Sequence, residues 1–364
     1  MTGITMLVTG GMGFIGSNFV LYWLDRHPED RIINLDALTY AGNPDNVASV
    51  CHLPNYRFIR GDISDAACVQ RIFREERIDT VVHFAAESHV DRSIADPQLF
   101  VRTNVLGTQC LLEEARRHCV TKFVHISTDE VYGTLGQEGR FTESTPLAPN
   151  SPYSASKAGS DLLARAYYET FNLPVVITRC SNNYGPYQFP EKLLPTVITR
   201  ALQNMPIPIY GNGLNVRDWL YVEDHCSAIE RVIRSGTPGQ VYNVGGGNER
   251  TNLQIVQNVL AELGKPTSLI QFVPDRPGHD LRYAIDAGKL RRKLGWQPRY
   301  TLERGLKLSV AWYLEHGSWW RKLLKAPSPD DPAAAPDTAD SSGPSGTSAA
   351  ASVLSEKTAK GGGT

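Results

Sequence analysis

The sequence lacks the cysteine patterns that stabilise secreted domains or bind zinc. Its six cysteines are scattered along 364 residues, and no two of them have the C-x-x-C spacing of zinc sites and redox motifs. We therefore interpret them as reduced thiols of a cytoplasmic protein, and we predict neither a disulfide framework nor a metal site.

Long apolar runs and an excess of one charge are missing as well. No apolar segment approaches the ~20 residues needed to cross a bilayer, and the chain enters its first predicted strand without a signal-like segment. The formal net charge is -1, with 41% hydrophobic and 21% charged residues. This balance is ordinary for a globular protein and gives no reason to expect nucleic acid or a membrane as the main partner.

A glycine-rich turn follows the first predicted strand. Residues 4–9 form a short apolar run, Gly10–Gly16 contains four glycines, and a helical pattern extends from Ser17 to Arg26. Strand, glycine turn and helix in this order are the context of a dinucleotide fingerprint, in which the backbone approaches a pyrophosphate and the helix N-terminus provides amide donors. The pattern favours a bound dinucleotide over a merely tight turn.

Further short strands alternate with helical segments. Strands are predicted at 32–35, 58–60, 80–84, 122–126 and 174–179, and helices at 105–119 and 153–171. This alternation predicts an α/β fold with a Rossmann-type doubly wound parallel sheet. Asp36, at the end of the second strand, is expected to bind the adenosine ribose, which favours NAD over NADP; a helix-cap aspartate is the alternative. Asp62 is expected near the adenine, and Ala85 and Ala86 leave room for a flat cofactor.

The most informative stretch is Ser127–Gly133, which places two carboxylates side by side. Asp129 and Glu130 follow a predicted buried strand, and open α/β sheets bind ligands at the carboxyl ends of their strands. Repulsion or burial can raise the pKa of one acid, so that one donates a proton while its neighbour accepts one. A polar turn at the end of a strand is the alternative.

Tyr153 and Lys157 share one face of a predicted helix because they are four residues apart. The charge of the lysine can lower the pKa of the phenol and make Tyr153 a general base. An ordinary amphipathic face is the alternative, but the preceding glycine turn and strand–helix units favour a catalytic pair.

The alternation breaks after about residue 180, where glycine and proline become frequent. We predict a smaller C-terminal substrate-binding lobe from segments 190–204, 217–234 and 252–326, with strands near 207–210, 241–244 and 269–273. Residues 1–189 are then mainly the NAD-binding domain, to which later segments return, and residues 190–326 mainly the lobe. The composition of residues 327–364 predicts a disordered tail.

Several longer motifs accompany these features. They occupy residues 10–16, 38–43, 85–91, 127–133, 153–157, 179–186, 217–222 and 275–280, in this order. In these motifs the chain resembles the extended short-chain dehydrogenase/reductases, an NAD-dependent superfamily of nucleotide-sugar dehydratases and epimerases, and within it the 4,6-dehydratases. The resemblance extends over about residues 4–324.

The resemblance implies that dTDP-glucose loses water to give dTDP-4-keto-6-deoxy-glucose, with NAD as a tightly held cofactor. Tyr153, supported by Lys157, would remove the proton of the carbon 4 hydroxyl while Thr128 holds that oxygen. Glu130 would remove the proton of carbon 5, and protonated Asp129 would donate to the hydroxyl that leaves carbon 6. Epimerases of this fold resemble the chain in Tyr153 and Lys157, but usually carry small or hydroxyl residues in place of the two acids.

The resemblance also implies two groups of binding residues and a homodimer through helices at about 96–119 and 153–171. The expected cofactor-binding residues are Gly10, Gly13, Phe14, Ile15, Gly16, Asp36, Leu38, Thr39, Asp62, Ile63, Phe84, Ala85, Ala86, Ser88, Thr103, Tyr153, Lys157 and Asn183. The expected substrate-binding residues are Ser88, Thr128, Asn182, Glu191, Lys192, Leu193, Pro208, Tyr210, Arg217, Asn252, Arg276 and His279. Arg217 and Arg276 suit a diphosphate because guanidinium groups match phosphate oxygens. For Ser88, Leu193 and Asn252, ordinary surface or core packing is an equal alternative.

Three other functions remain open at this point. A related dehydratase could act on a UDP- or GDP-sugar with the same chemistry. A UDP-sugar epimerase or decarboxylase would share the fold and the Tyr153–Lys157 pair. A non-catalytic NAD-binding regulatory protein is the third, because a fold does not fix a function.

Overall fold

The computed structural model describes residues 3–325. The predicted disordered tail, residues 327–364, lies outside the described residues. Among the described helices, none combines the length and the apolar character required to cross a membrane.

The centre of the molecule is a seven-stranded parallel sheet. Its strands are β1 (Thr5–Thr9), β2 (Arg31–Asp36), β3 (Tyr56–Arg60), β4 (Thr80–His83), β5 (Lys122–Thr128), β6 (Val175–Cys180) and β10 (Val241–Val244). They lie in the order β10-β6-β5-β4-β1-β2-β3, and each adjacent pair is parallel. Because both faces are covered, the strands are nearly continuous apolar runs; Met6, Leu7 and Val8 of β1 are fully buried.

Helices cover both faces of this sheet. In chain order the helices are α1 (Phe14–Arg26), α2 (Ala66–Glu75), α3 (Val90–Ala95), α4 (Pro97–Phe100), α5 (Thr108–Arg117), α6 (Pro152–Phe171), α7 (Leu193–Leu202), α8 (Val222–Ser235), α9 (Asn252–Glu262), α10 (Gly288–Leu294), α11 (Leu302–Glu315) and α12 (Gly317–Lys325). One core contains Phe19 of α1 and Ile229 of α8, and the other contains Ile72 of α2, Leu112 of α5 and Ala164 of α6. The predicted doubly wound Rossmann-type fold is confirmed.

The order of the strands reverses next to β1. The chain continues outward through β2 and β3, and then returns to the other side of β1 with β4, β5 and β6. The glycine turn after β1 and the loops after β4 and β5 therefore meet at the carboxyl edge of the sheet, which is where open α/β sheets bind ligands.

A smaller lobe contains two further sheets. β7 (Asn182–Tyr184), β9 (Val216–Tyr221) and β11 (Glu249–Thr251) form one in the order β11-β9-β7, and β8 (Ile207–Tyr210) pairs with β12 (Ile270–Val273) in the other. Helices α7, α9, α11 and α12 pack around these strands, with Val197, Val256, Leu306 and Trp320 in a common buried core.

Part of the segment predicted for this lobe lies elsewhere. Of residues 217–234, only β9 belongs to the lobe, whereas Cys226, Ile229 and Val232 of α8 share a buried cluster with α1 on the parallel sheet. These residues repeat at three-residue spacing and form one apolar face, which the sheet covers. Strand β10 likewise pairs with β6 of the parallel sheet.

Short irregular turns interrupt the regular elements. A π-helical turn at Val101–Gly107 replaces the start of the helix predicted at 105–119, which then continues as α5. Turns of 3-10 helix lie at Pro44–Val47, Asp129–Tyr132 and Thr267–Leu269. The second of these immediately follows β5 and carries both candidate acids.

Candidate active site

A cleft opens at the carboxyl edge of the parallel sheet. All but one of the predicted cofactor-binding residues line it, namely Gly10, Gly13, Phe14, Ile15, Gly16, Asp36, Thr39, Asp62, Ile63, Phe84, Ala85, Ala86, Ser88, Thr103, Tyr153, Lys157 and Asn183. Thr128, Glu130, Asn182, Glu191 and Lys192 line it as well. Four of the five predicted catalytic residues, namely Thr128, Glu130, Tyr153 and Lys157, therefore share one cavity with the predicted cofactor-binding residues, whereas Asp129 is buried and does not line it.

The glycine turn allows a ligand to approach the backbone closely. Gly10 has a φ of +73°, and a Cβ there would lie 2.6 Å from the amide nitrogen of Ala85. A Cβ on Gly16 would lie 2.2 Å from the carbonyl oxygen of Gly10, so only glycine fits at both positions. In the described structure no side chain caps the N-terminus of α1, whose first turn lines the cleft. Because uncapped helix amides attract anions, this turn fits the pyrophosphate of NAD.

Asp36 connects the glycine turn to the loop that follows β2. Its carboxylate accepts hydrogen bonds from the backbone N–H groups of Met12 at 2.9 Å and Leu38 at 2.8 Å. Burial raises the pKa of Asp36, and these two hydrogen bonds oppose the rise. Its binding to the ribose stays a prediction.

Leu38 is the predicted cofactor residue that does not line the cleft. Its backbone is left-handed, with a φ of +54°, and its side chain packs against the hydrophobic core beneath α1. The tight turn held by Asp36 directs this side chain inward, and the neighbouring Thr39 faces the cleft instead.

Thr128, Asp129 and Glu130 stand where β5 ends. The hydroxyl of Thr128 accepts a hydrogen bond from the Glu130 N–H at 3.2 Å and thereby caps the turn that follows. The same hydroxyl donates to Oδ1 of Asp129 at 3.4 Å. Asp129 is only 1% exposed, and its Oδ2 has no hydrogen-bond partner among the described residues.

The environments of the two acids are different. Burial raises the pKa of Asp129 well above its usual value, and the neighbouring charges of Glu130 and Asp218 raise it further. Burial also raises the pKa of Glu130, but Arg217, Arg276 and Lys192 counteract that effect. The directions of these effects favour a proton on Asp129 over a proton on Glu130.

Tyr153 and Lys157 project from the first turns of α6. A capping box formed by Ser151 and Ser154 fixes the start of this helix. The ammonium group of Lys157 donates to the carbonyl oxygen of Ile126 at 2.8 Å, and burial lowers its pKa to about 8. The pair is thus buried against the end of β5, beside the acids.

The pKa of Tyr153 differs from the expectation based on Lys157. Burial raises it well above 10, and the charge of Glu130 adds to the rise. A hydrogen-bond interaction with the side chain of Thr128 acts in the opposite direction. The prediction of a lowered phenol pKa was wrong for this structure because desolvation by burial is the largest effect on the phenol, and it raises the pKa.

Three cations act on Glu130. Lys192 lines the cleft, and together with Arg217 and Arg276 it opposes the effect of burial on the pKa of Glu130. Nε of Arg276 is buried without a hydrogen-bond partner among the described residues, and a terminal nitrogen of the same side chain lies 3.7 Å from Asp91. This local excess of positive charge suits a diphosphate.

The other predicted substrate residues separate into two groups, and none of them lines the cleft. Tyr210 and His279 have ring centroids 6.3 Å apart, and the Tyr210 hydroxyl donates to Asp91 at 3.4 Å, so both lie close to Arg276. The second group is dispersed through the lobe: Leu193 packs against its core, Pro208 lies in β8 and Asn252 begins α9.

Tyr40 is a cleft residue that sequence reasoning missed. Its hydroxyl donates to Glu191 at 2.8 Å, and the guanidinium of Arg92 lies 3.8 Å from its ring centroid. This Tyr40 bridge, formed by Tyr40, Glu191 and Arg92, joins the loop after β2 to the segment before α7. Tyr40 and Glu191 are 151 positions apart, so no local pattern indicated their hydrogen bond. The sequence indicated only that Tyr40 belongs to the motif at 38–43.

Comparison with known proteins connects this geometry to a family. The sequence model of the GDP-mannose 4,6 dehydratase family matches residues 7–308. The chain belongs to this family. The match spans the glycine turn, the paired acids and the Tyr153–Lys157 pair, and the sequence resemblance to nucleotide-sugar 4,6-dehydratases is confirmed.

Several known enzymes are similar to this chain over nearly their whole length. A dTDP-glucose 4,6-dehydratase of Xanthomonas campestris pv. campestris is 55% identical over 338 residues, which are 88% of this chain and 96% of the relative. The crystal structure of a dTDP-glucose 4,6-dehydratase of Streptomyces venezuelae with NAD bound is 51% identical, with a TM-score of 0.85, and covers 88% of this chain and 100% of its own. A UDP-glucose 4-epimerase of Thermus thermophilus, in complex with NAD, is 34% identical with a TM-score of 0.80 over 86% of this chain and 100% of its own. Because dehydratases and epimerases share the fold, the side chains in the cleft must distinguish them.

Proposed function

We propose that this protein is an NAD-dependent hydro-lyase that converts dTDP-glucose to dTDP-4-keto-6-deoxy-glucose and water. The observation that carries this function is the buried Asp129 directly beside Glu130 at the end of β5, where burial raises the pKa of Asp129 well above its usual value. Elimination of water requires one group that donates a proton and one that accepts a proton, whereas epimerisation at carbon 4 requires neither acid. The relatives that share about half of the sequence bear the name of this activity.

The cleft fits NAD as the resident cofactor. The uncapped first turn of α1 would hold the pyrophosphate, while Asp36 and Asp62 lie where the adenosine half is expected. The chemistry that bound NAD supplies is the acceptance of a hydride from carbon 4 and its return to carbon 6.

The protein side chains provide the proton transfers. Tyr153 removes the proton of the carbon 4 hydroxyl, and a phenolate with a raised pKa is a strong acceptor. The resulting ketone acidifies the proton on carbon 5, which Glu130 removes. Asp129 then donates its proton to the carbon 6 hydroxyl, which leaves as water. Lys157 has a pKa of about 8, so it is mainly charged at neutral pH and stabilises negative charge beside Tyr153.

One assay tests the function directly. The purified full chain is incubated with dTDP-glucose, UDP-glucose or GDP-mannose, without added NAD, and the 4-keto product is detected by its absorbance in alkali. We expect product from dTDP-glucose. Product from UDP-glucose or GDP-mannose alone would change the nucleotide of the proposed substrate. Formation of a 4-epimer without loss of water would contradict the proposal.

A second copy of the chain is the proposed protein partner. Val101 and Leu106 in the π-helical turn are 50% and 54% exposed, and Leu162 and Phe171 on α6 are 56% and 49% exposed. Such apolar side chains on neighbouring helices are typical of an interface. A homodimer through the π-helical turn, α5 and α6 would cover them. A cytoplasmic location is part of the same proposal, and it is supported by the six cysteines, all of which are free.

A further inference from the structure

The proposed reaction leaves two side chains in the wrong protonation state after each turnover. Tyr153 gains the proton of the carbon 4 hydroxyl, and Asp129 loses a proton to the water that leaves carbon 6. Glu130 is restored within the cycle, because the proton that it takes from carbon 5 returns there when hydride adds to carbon 6. One proton must therefore move from Tyr153 to Asp129 before the next turnover.

The side chain of Thr128 lies between these two groups. Its hydroxyl donates to Oδ1 of Asp129 at 3.4 Å, and the same side chain has a hydrogen-bond interaction with the Tyr153 hydroxyl. Tyr153 is 8% exposed and Asp129 is 1% exposed, so Asp129 has almost no direct contact with solvent. A proton that restores Asp129 must therefore come through its immediate neighbours.

Other neighbouring groups are less suited to this transfer. The ammonium group of Lys157 is directed at the carbonyl oxygen of Ile126, at 2.8 Å. The thiol of Cys180 donates to the carbonyl oxygen of Ser127 at 3.4 Å, so its proton is directed away from Asp129. Among these groups, only Thr128 has hydrogen-bond interactions with both Tyr153 and Asp129.

We propose that the hydroxyl of Thr128 relays the restoring proton from Tyr153 to Asp129. The O–H bond of Tyr153 breaks as a bond to the oxygen of Thr128 forms, and the original O–H bond of Thr128 breaks as a bond to the Asp129 carboxylate forms. Thr128 ends as a neutral hydroxyl, Tyr153 as a phenolate and Asp129 as a carboxylic acid. No electrons are exchanged, and no further reactant is consumed. The relay rests on the proposed function and adds a task to Thr128 beyond holding the substrate oxygen.

The relay predicts that removal of this hydroxyl separates the first turnover from later ones. Holoenzyme of Thr128→Val, Thr128→Ala and Thr128→Ser is mixed with dTDP-glucose, with enzyme or substrate in excess, and product is measured after rapid quenching. In the valine and alanine variants, later turnovers should be at least about tenfold slower than the first, which gives a burst of one product per active site. The serine variant retains a hydroxyl and should restore the wild-type ratio.

A matched control accounts for the capping role of Thr128. Thr301 caps the start of α11 through its side chain, as Thr128 caps the turn after β5, and it does not line the cleft. Thr301→Val should show no burst. If valine and alanine at position 128 slow the first and later turnovers equally, or if serine does not restore the ratio, the relay is overturned. Failure of the wild-type chain to act on dTDP-glucose would instead overturn the proposed function.

Discussion

Replacing each acid of the active site with its amide tests the division of labour between them. Asp129→Asn preserves the size of a fully buried side chain but removes the proton that the carbon 6 hydroxyl requires. Glu130→Gln removes the acceptor for the carbon 5 proton. A general acid or base contributes about 10²–10⁴-fold to a rate. Each variant should therefore lose about that much product formation, which corresponds to ~3 to ~5 kcal/mol of activation free energy.

The two variants should differ in which partial reaction survives. Oxidation at carbon 4 depends on Tyr153, so both variants should still reduce bound NAD when dTDP-glucose is added. Exchange of the carbon 5 proton with D2O depends on Glu130. Asp129→Asn should therefore incorporate deuterium into recovered dTDP-glucose, and Glu130→Gln should not, as measured by mass spectrometry. Equal exchange in both variants would refute the assignment of donor and acceptor.

Thermal unfolding at two pH values provides an independent test. The folded-state pKa of both acids is raised, mainly by burial. A carboxyl of this kind stabilises the fold while it is protonated, and the contribution disappears as the pH rises through its folded-state pKa. The neutral amides are insensitive to this titration. Both variants should therefore unfold at a higher temperature than the wild type at pH 8, and the difference should shrink toward pH 4.

Four further outcomes can be measured. Gly16→Ala should abolish retention of NAD, detected by chromatography of the cofactor released on denaturation, because its Cβ would lie 2.2 Å from a carbonyl oxygen. Tyr40→Phe removes the 2.8 Å hydrogen bond to Glu191 and should shorten the half-life of bound NAD several-fold in gel filtration; an unchanged half-life would show that the Tyr40 bridge does not retain the cofactor. Leu162→Asp should halve the mass measured by light scattering if α6 forms the dimer interface. The turnover number should fall as the pH rises through about 8, because Lys157 then loses its charge; a flat profile to pH 10 would contradict that role.

Local sequence patterns predicted well those parts of the molecule whose structure depends on adjacent residues. The glycine turn requires residues without a Cβ within seven positions, and the buried strands are continuous apolar runs, so both appear directly in the sequence. Tyr153 and Lys157 occupy one helix face because a helix repeats every 3.6 residues. The position of the paired acids is also a local feature, because they directly follow the apolar run of β5 in the sequence.

The remaining features depend on contacts between distant segments or on burial. The apolar face of α8 shows that the helix is covered, but not which sheet covers it. Leu38 belongs to a motif at the cleft, yet its left-handed backbone directs its side chain into the core. The spacing of Tyr153 and Lys157 indicated a lowered phenol pKa, whereas the desolvation that raises it arises from the complete fold.

The return of α8 and β10 to the parallel sheet restricts how the cleft can open. Strand β9 of the lobe leads directly into α8, and β10 leads back into β11 of the lobe, so the chain links the two parts at several points. Any motion of the lobe relative to the sheet must therefore be absorbed at all of these connections at once. For the same reason, neither part is one continuous segment of the chain, and cutting out the whole segment 190–326 would strip the sheet of Ile229 and Val232 and expose its interior to water.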